Sequence, residues 1–423
     1  MNIDEALAYM LTPGGPKTRL GLERITELMH ALGDPQKQLH FIHVAGTNGK
    51  GSVCAMLSSI LEKAGYRTGL YISPHLIRVN ERMKINGRDI SDEELIELAE
   101  RVKPVTDQMM DEPTEFERIT AMALLYFQKR KCDVVVLEVG LGGRLDSTNV
   151  IDAPDVAVIT NIALEHTQYL GHTLKMIAGE KGGIIKEETP VALYGQSPEV
   201  EQVIRDICHK KRGKLQVSMP DQVWILSSSL RGQVVSYREW KGLSLPLLGE
   251  HQARNMALVL ETVGLLVREH GYQISKTAVR NGMAAVIWPG RLEVLREAPA
   301  VLVDGAHNPD GVKQLAAYIE KYLPGQKVTF VMGVMADKDY VGMAALVAPY
   351  AKRFITVVPD HHRALDAESL RESIELELHV PARCGGHVLQ GLELAISECG
   401  PKETVVVFGS LYQVGEVRGW FGK

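Results

Sequence analysis

Short apolar runs rich in β-branched residues alternate with longer amphipathic stretches along most of this chain. Apolar runs of this length predict buried strands, and the longer stretches have the apolar spacing of amphipathic helices. The predicted strands of the first half lie at residues 39–44, 68–72, 133–139, 155–160 and 190–194. Because strands that alternate with helices are typical of a parallel sheet covered by helices, the pattern predicts an α/β fold.

Two of the predicted helices carry a visible start signal. Ser91 is followed three residues later by Glu94, and Thr114 is followed in the same way by Glu117. This spacing fits the capping box, in which each side chain accepts a hydrogen bond from a backbone amide at the helix start. A further helix is predicted over residues 53–64, directly after a glycine-rich segment.

The second half of the chain predicts a change of domain. Residues 222–248 read as a hairpin attached to the main sheet, and helices are predicted at 252–270 and 276–285. A new series of strands then begins, at residues 301–303, 328–331, 354–358 and 404–407. We therefore predict a first domain over residues 1–295 and a smaller α/β domain of about 125 residues over 299–423.

Composition and charge narrow the classes of partner. The chain has 423 residues, and its 47 Lys and Arg against 52 Asp and Glu give a formal net charge of -5. Without a basic excess, neither nucleic acid nor an anionic membrane is favoured as the main partner. No apolar run approaches the roughly 18 residues that a membrane span needs. We therefore expect a soluble globular protein, and the composition alone indicates no function.

The cysteines and the N-terminal segment indicate an intracellular location. The five cysteines are odd in number, far apart and without a CxxC pair, so they predict neither a zinc site nor a disulfide framework. The N-terminal segment carries acidic residues early and lacks the basic-then-apolar order of a secretion signal. We therefore expect a cytoplasmic protein.

The strongest local motif is HVAGTNGKGS at residues 43–52, between a predicted strand and a predicted helix. Glycines allow consecutive amides to point at a phosphate, the helix N-terminus adds partial positive charge, and Lys50 adds a full charge. The motif departs from G-x-x-x-x-G-K-[ST], because position 44 is Val and Gly51 separates Lys50 from Ser52. It predicts a nucleotide phosphate site; the alternative is an ordinary glycine-rich turn.

Three other polar residues follow or end apolar strands: Ser73, Glu138 and His166. The carboxyl ends of parallel strands share one edge, where ligands of open α/β sheets bind, so we expect these residues to converge near the phosphates. A carboxylate inside an apolar strand is costly to bury without a cation. Glu138 therefore fits a magnesium ligand; a buried ion pair with Arg144 is the alternative.

The residue types alone leave His166 and Lys181 open. Magnesium prefers oxygen ligands, and a single histidine is more often a hydrogen-bonded structural residue than a metal ligand. Lys181 stands beside two glycines in AGEKGGIIK, a place where a solvated cation at a helix end is common.

Many ordered motifs together resemble one family. They are GTNGKGS, SPHL with RVNERMKING, LEVGLGGRLDSTN, ITNIALEHTQYLG, AGEKGGIIK, GEHQARN, WPGRLE and DGAHNPDG, and they cover nearly the whole chain. This set is similar to folylpolyglutamate synthases and dihydrofolate synthases of the Mur ligase superfamily. The resemblance implies a P-loop ATPase domain built on a parallel sheet, followed by a smaller Rossmann-like α/β domain.

The resemblance also implies a reaction. ATP phosphorylates a carboxyl group of a folate or of dihydropteroate, and the amino group of L-glutamate attacks the acyl phosphate. A carboxylate is a poor electrophile, and phosphorylation supplies a leaving group, so catalysis is mainly positioning and charge neutralisation. ATP and Mg²⁺, as two ions, are the implied cofactors. The motifs do not separate dihydrofolate synthesis from extension of the polyglutamate tail.

By this resemblance, the nucleotide and metal residues are assigned one by one. The phosphates are bound by Asn48, Gly49, Lys50, Gly51 and Ser52, and the magnesium ligands are Ser73, Glu138 and His166. Lys181 stands where the family carries a carbamylated lysine. The remaining nucleotide contacts are Asn255, Arg291 and Asp304, which places ATP between the two domains. From the residues alone, these three also read as a helix cap, a surface cation and a turn residue.

The substrate residues follow from the same resemblance. Arg78 and Arg82 lie in the segment that resembles the folate-binding loop and are candidates for contact with substrate carboxylates. His307 and Ser410 are expected near the incoming glutamate. The predicted catalytic residues are Lys50, Lys181 and His307, and we expect a monomer.

Two alternative functions remain to be weighed. A peptidoglycan Mur ligase shares the phosphate loop and the chemistry, but it places a sizeable domain before the loop, whereas 45 residues precede Gly46 here. A nonenzymatic nucleotide-binding protein could share the fold, because fold does not dictate function. The presence of all the metal and attack-site residues argues against this second alternative.

Overall fold

The computed structural model describes residues 1–11 and 19–422, and these form two compact units. The first unit comprises residues 1–224, 237–243 and 254–286, apart from the undescribed stretch. The second comprises residues 225–236, 244–253 and 287 onward. Each unit has its own sheet and its own buried core, as the α/β pattern predicts.

An eight-stranded sheet forms the centre of the first unit, in the order β4-β3-β2-β5-β1-β6-β7-β8. Its strands are β1 (Phe41–Ala45), β2 (Thr68–Tyr71), β3 (Met83–Ile85), β4 (Arg88–Asp89), β5 (Val134–Glu138), β6 (Val156–Ile159), β7 (Val191–Leu193) and β8 (Leu215–Val217). Strands β2, β5, β1, β6, β7 and β8 run parallel, and β3 and β4 add an antiparallel edge. All five strands predicted for this half are confirmed. Strands β3, β4 and β8 were not predicted, because each contains polar residues and none is an apolar run.

Ten helices accompany this sheet in the described chain. They are α1 (Ile3–Met10), α2 (Glu23–Ala31), α3 (Lys50–Lys63), α4 (Asp92–Thr106), α5 (Glu115–Lys129), α6 (Thr167–Leu170), α7 (Leu174–Gly182), α8 (Pro198–Lys210), α9 (Glu250–His270) and α10 (Lys276–Ala285). Both predicted capping boxes are present, at the starts of α4 and α5. Helix α3 begins at Lys50, three residues before its predicted start, because Gly49 ends the glycine turn.

The predicted hairpin at residues 222–248 is a small sheet of its own. It has three strands, β9 (Val223–Ser229), β10 (Gly232–Tyr237) and β11 (Trp240–Leu245), in the order β11-β10-β9. The expected attachment to the main sheet is therefore wrong. Consecutive short connections let the three strands pair with one another, so their backbone groups are satisfied locally.

A six-stranded sheet forms the second unit, in the order β12-β13-β17-β14-β15-β16. Its strands are β12 (Glu293–Glu297), β13 (Ala300–Val303), β14 (Val328–Met332), β15 (Ala351–Val358), β16 (Ala382–His387) and β17 (Thr404–Phe408). Its helices are α11 (Pro309–Tyr322), α12 (Tyr340–Val347), α13 (Ala367–Leu378), α14 (Val388–Ser397) and α15 (Leu411–Trp420). The four predicted strands are confirmed. The predicted division at 295–299 falls inside the antiparallel pair β12 and β13, within the second unit.

Apolar side chains fill both units. The central strands β1, β5 and β6 are buried along their whole length, as expected for strands covered on both faces. Within the residues that the structure describes, no helix is long and apolar enough to cross a membrane.

Candidate functional site

The phosphate loop lies at the carboxyl end of the central strand β1. Gly49 has φ +91° and caps helix α3, and Lys50 is the first residue of that helix. The amides at the start of a helix lack partners within the helix, and the helix dipole adds partial positive charge there. Asn48 and Gly49 lead the chain into helix α3, and Lys50 to Ser52 are its first residues, an arrangement of the kind that binds phosphate.

The loop is packed so closely that two of its glycines have no room for a side chain. A Cβ on Gly46, which has φ +154°, would overlap Thr160 Oγ1, and a Cβ on Gly49 would lie 2.8 Å from Asn255 Oδ1. Asn255, in α9, is buried at 3% exposure. The structure thus brings the predicted nucleotide residue Asn255 against the phosphate loop, although about 200 residues separate them in the sequence.

Replacing Gly46 with alanine is expected to destabilise the protein through this overlap. Gly65 is the matched control, because it also has positive φ (+93°) but has nothing within 4 Å of an added Cβ. Both substitutions carry backbone strain, so their difference isolates the overlap. We expect Gly46→Ala to lower the free energy of unfolding by about 1–3 kcal/mol more than Gly65→Ala, measured by urea denaturation. Equal losses would contradict the steric explanation.

Two lysines converge on one carbonyl oxygen of the loop. Lys50 Nζ donates to Gly46 O at 2.9 Å and to Thr47 O at 3.1 Å, and Lys181 Nζ donates to Gly46 O at 2.7 Å. Lys181 lies in the last turn of α7 and is 3% exposed. A solvated cation at a helix end, the alternative drawn from the sequence, is therefore excluded.

Burial changes the acidity of Lys181. Desolvation lowers its pKa to about 7, and the nearby charge of Lys50 acts in the same direction. Glu165 and Asp146 act in the opposite direction, but they do not restore the usual value. Near neutral pH a substantial fraction of Lys181 is therefore the neutral amine, which is a nucleophile.

Glu138 ends strand β5 beside the phosphate loop. It pairs in register with Val44 of β1, is 4% exposed, and its Oε2 accepts a hydrogen bond from the Ser73 amide at 3.1 Å. Arg144, the ion-pair partner considered from the sequence, pairs with Glu180 at 2.8 Å. The structure thus joins Glu138 to Ser73, its predicted companion.

The residues present fit a magnesium ion in part. Glu138 and Ser73 offer carboxylate and hydroxyl oxygens, the donors that Mg²⁺ prefers. Asn161 lies in the segment next to the phosphate loop, and its Oδ1 is buried without a hydrogen-bond partner among the described residues. An atom that accepts a hydrogen bond from metal-bound water would have these surroundings. In the same described part of the chain, no three His, Cys, Asp or Glu residues cluster as a metal site. A metal here would thus rely on hydroxyl and phosphate oxygens as well.

His166 is less enclosed than the other predicted metal residues. It has φ +49°, caps α6, and its side chain is 39% exposed with Nε2 3.7 Å from Glu165 Oε1. The geometry places His166 on the segment that follows β6, as predicted, and does not by itself assign it to a metal.

A buried polar network below this edge was missed from the sequence. Asp146 accepts hydrogen bonds from the amides of Leu141 and Thr148, and the Thr148 hydroxyl bonds both Asp146 and His43 Nε2. Burial raises the pKa of the Asp146 carboxyl and lowers that of His43 to about 3. The only indication in the sequence was the aspartate of LDSTN. Through its hydrogen bonds, Asp146 holds the segment that follows β5.

The two arginines predicted to contact substrate have different surroundings. Arg78 is exposed and paired with Asp92 at 2.6 Å. Arg82 is 8% exposed, and its Nε donates a hydrogen bond to His75 Nδ1 at 2.9 Å. Its Nη2 lies 3.7 Å from Glu115 Oε1. Arg82 is thus held in place by its neighbours, whereas Arg78 can be released by breaking one exposed ion pair.

The second unit gathers its own predicted residues at one sheet edge. Asp304 and Ser410 follow the adjacent parallel strands β13 and β17, and the Gly409 amide donates to Ala306 O at 3.0 Å. Asp304 accepts from the amides of Leu292 and Ala306, both at 2.8 Å, and burial raises its pKa.

Arg291 and His307 lie close to Asp304. Arg291 Nη1 would contact a Cβ on Gly305, and its charge counteracts the rise in the pKa of Asp304. His307 Nδ1 lies 2.8 Å from Gly305 O, so the Nδ1 carries the proton and Nε2 is an acceptor in the neutral ring. Ser410 caps α15 and accepts from the Tyr412 amide.

Comparison with known proteins identifies the family. The chain matches the Mur ligase middle domain over residues 44–263 and the Mur ligase glutamate ligase domain over residues 290–411. The dihydrofolate synthase/folylpolyglutamate synthase of Bacillus subtilis is 38% identical over 409 residues, which cover 94% of each chain. The chain belongs to the folylpolyglutamate synthase/dihydrofolate synthase family.

Other members of the folylpolyglutamate synthase/dihydrofolate synthase family agree in sequence and structure. The Escherichia coli dihydrofolate synthase/folylpolyglutamate synthase is 34% identical over 97% of this chain and 93% of its own length. Mycobacterium tuberculosis folylpolyglutamate synthase, solved with ADP and AMPPCP, superposes with a TM-score of 0.89 at 34% identity, over 99% of both chains. Escherichia coli FolC in complex with DHPP and ADP gives a TM-score of 0.88 at 32% identity, over 100% of this chain and 98% of that chain. The predicted fold class and enzyme class, an ATP-dependent ligase, are confirmed.

Proposed function

We propose that this protein uses ATP to join L-glutamate to the carboxyl group of dihydropteroate or of a folate, as the names of its relatives indicate. The observation that carries the proposal is the glycine turn at the start of α3, with Lys50 as the first helical residue, in a chain that also contains a glutamate ligase domain. A phosphate site without that second domain would support only nucleotide binding.

Two bond exchanges make up the proposed reaction. A carboxylate oxygen of the pteridine acid attacks the γ-phosphorus of ATP, and ADP leaves. The glutamate amine then attacks the acyl carbon, inorganic phosphate leaves with that oxygen, and the amine loses a proton. His307 Nε2, the acceptor nitrogen of the ring, is proposed to take this proton, because Nδ1 donates to Gly305 O. Ser410 is proposed to hold the incoming glutamate.

The roles of the remaining residues follow their positions. Asn48 to Ser52 would cradle the phosphates, with Lys50 neutralising charge that builds on the γ-phosphate. Asn255, Arg291 and Asp304 would make the remaining contacts with the nucleotide, and Arg78 and Arg82 would contact the substrate carboxylates. For Asn255 this assignment is supported by its place against the phosphate loop, where its Oδ1 lies 2.8 Å from a Cβ added to Gly49.

Magnesium would be held by Ser73, Glu138 and His166 together with phosphate oxygens. When bound, the metal supplies positive charge that offsets the charge of the transferring phosphoryl group. Support for this set is the joined pair of Ser73 and Glu138 at the edge where β1 also ends.

Replacing Glu138 with glutamine is expected to weaken the response to magnesium. The amide keeps the shape and can still accept from the Ser73 amide, but it lacks the charge that attracts a divalent cation. We expect the half-saturating Mg²⁺ concentration for turnover to rise about tenfold. Glu180→Gln, which removes the partner of Arg144, is the control. Identical magnesium titrations for wild type and Glu138→Gln would remove Glu138 from the metal site.

We also propose that Lys181 is carbamylated. The ammonium group would first lose a proton; the neutral amine nitrogen would then add to CO₂ and lose a second proton, so that a buried cation becomes an anion. The lowered pKa supplies the neutral amine that this addition requires, and the positive charge of Lys50 nearby favours the carbamate product. The modified side chain would then offer oxygens to a second magnesium ion or to the acyl phosphate.

Phosphate release tests the reaction, measured with purified protein, ATP, and each acid in turn. We expect release that requires both L-glutamate and either dihydropteroate or a reduced folate, assayed side by side. Activity with both acids would identify a bifunctional enzyme, and activity with one would assign the substrate. Hydrolysis of ATP that is independent of glutamate would instead favour a nucleotide-binding protein without ligase activity.

A further inference from the structure

The phosphate loop is joined by hydrogen bonds to the segment that follows β6. The Thr47 amide donates to Asn161 O at 2.7 Å, and Thr160 Oγ1 donates to Asn48 O at 2.8 Å. Asn48 and Asn161 thereby form an isolated antiparallel bridge. Two segments that both follow parallel strands are thus fastened to each other beyond the sheet edge.

The side chain of Thr47 adds a second connection between the phosphate loop and the segment that follows β6, at Ala163. Thr47 Oγ1 donates to Ala163 O at 3.1 Å, and the Ala163 amide donates back to Thr47 Oγ1 at 3.1 Å. Thr47 is 6% exposed, so these bonds are shielded from water. One buried hydroxyl therefore satisfies both backbone groups of Ala163, and a side chain without a hydroxyl would leave both without this partner.

Ala163 leads directly to a predicted metal residue. It lies three residues before His166, and the segment in between becomes exposed at Leu164 (56%). On the other side, the Ile162 amide donates to Gln196 Oε1 at 2.8 Å. The backbone is thus held through Ala163 and opens towards solvent at the point where His166 follows.

We propose that Thr47 is a positioning residue that couples nucleotide binding at the phosphate loop to the placement of His166 for magnesium. The proposal rests on the proposed function, in which His166 binds the metal. A phosphate that settles on the loop fixes Thr47, Thr47 fixes Ala163, and the backbone that carries His166 is then ordered. Each site stabilises the other, because coupling between two sites is reciprocal.

The test compares ADP binding with and without magnesium. In wild type, Mg²⁺ is expected to tighten ADP binding; in Thr47→Val, which keeps the shape and removes the hydroxyl, this gain should fall about tenfold. ADP binding in the presence of EDTA should change little. Thr47→Ser keeps a hydroxyl and should restore the gain. The control is Thr262→Val, because Thr262 is fully buried and its hydroxyl donates to Leu258 O within α9.

Two outcomes would overturn the proposal. An equal loss of ADP affinity with and without magnesium would assign Thr47 to the loop alone, and ADP affinities that match wild type under both conditions would remove it altogether. If Thr47→Val does not fold, amide hydrogen exchange measured on the wild-type protein tests the coupling instead. The amides of residues 161–166 should be protected more by ADP with Mg²⁺ than by ADP with EDTA, and equal protection would contradict the coupling. Ligase activity that persists in either case leaves the proposed function intact.

Discussion

Lys50→Ala is expected to lower kcat by about 100- to 1,000-fold while the fold is retained. Lys50 is the first residue of α3, and its ammonium group bonds Gly46 O and Thr47 O within the phosphate loop. A positive charge at this position would be within reach of a bound γ-phosphate, where negative charge is redistributed during transfer. Steady-state turnover with saturating ATP measures the effect, and circular dichroism checks the fold.

Lys63 provides the matched control for this substitution. It lies in the last turn of the same helix, is exposed, and pairs with its neighbour Glu62 at 3.2 Å. Lys63→Ala removes the same charge and the same side chain from α3 without touching the loop, so it should turn over at the wild-type rate. A Lys50→Ala enzyme that matched Lys63→Ala in kcat would refute the assignment of the phosphate site.

Lys181→Ala should reduce kcat by about 10- to 100-fold, and short carboxylic acids such as acetate should restore part of the loss. The substitution leaves a small buried space beside Gly46 O and Lys50, which an added carboxylate can enter with its charge balanced by Lys50. Rescue by a carboxylate, and not by an amine of similar size, would identify an anion as the working group at this position. The measurement is turnover at increasing acetate or methylamine concentration.

The charge of Lys181 in wild type can be followed independently. Incubation with ¹³C-labelled bicarbonate should give a carbamate signal in ¹³C NMR that is absent from Lys181→Ala. Lys175→Ala, an exposed lysine of the same helix, should retain the signal. Rescue by methylamine instead of acetate, together with no carbamate signal in wild type, would show that Lys181 works as a cation.

Most of the secondary structure was predictable from local patterns. The five strands predicted in the first half are all present, because runs of buried β-branched residues such as 134–136 favour the extended conformation. Capping boxes at Ser91 and Thr114 marked helix starts for the same local reason. The short strands β3, β4 and β8 were not predicted, since polar residues interrupt them, whereas the equally short β7 is apolar throughout.

Pairing between segments was harder to predict. Residues 222–248 were expected on the main sheet and form a separate three-stranded sheet. The domain division predicted at 295–299 cuts through strand β12, whose pairing with β13 only the structure shows. In both cases the pairing partner depends on which strand edge lies nearby in the folded protein, and the sequence of the strand alone does not specify this.

Among the candidate site residues, the sequence identified the types and the structure supplied their surroundings. Glu138 was recognised as a buried carboxylate, but only the structure joins it to the Ser73 amide and pairs Arg144 with Glu180. The sequence predicted no role for Thr47, Thr160 or Asp146, because threonine and aspartate are common in turns. Their importance comes from buried hydrogen bonds to residues more than 100 positions away or across a short loop.

The sequence by itself determined the kind of chemistry: a glycine turn before a helix, a lysine within it, and the ordered motifs of the family. These are properties of neighbouring residues, and they survive without knowledge of the fold. Only the tertiary structure decided the acidity of the Lys181 side chain, because burial and the charge of Lys50 lower its pKa to about 7. Acidity depends on desolvation and on charges brought together from distant parts of the chain, so it cannot be read from the residues on either side.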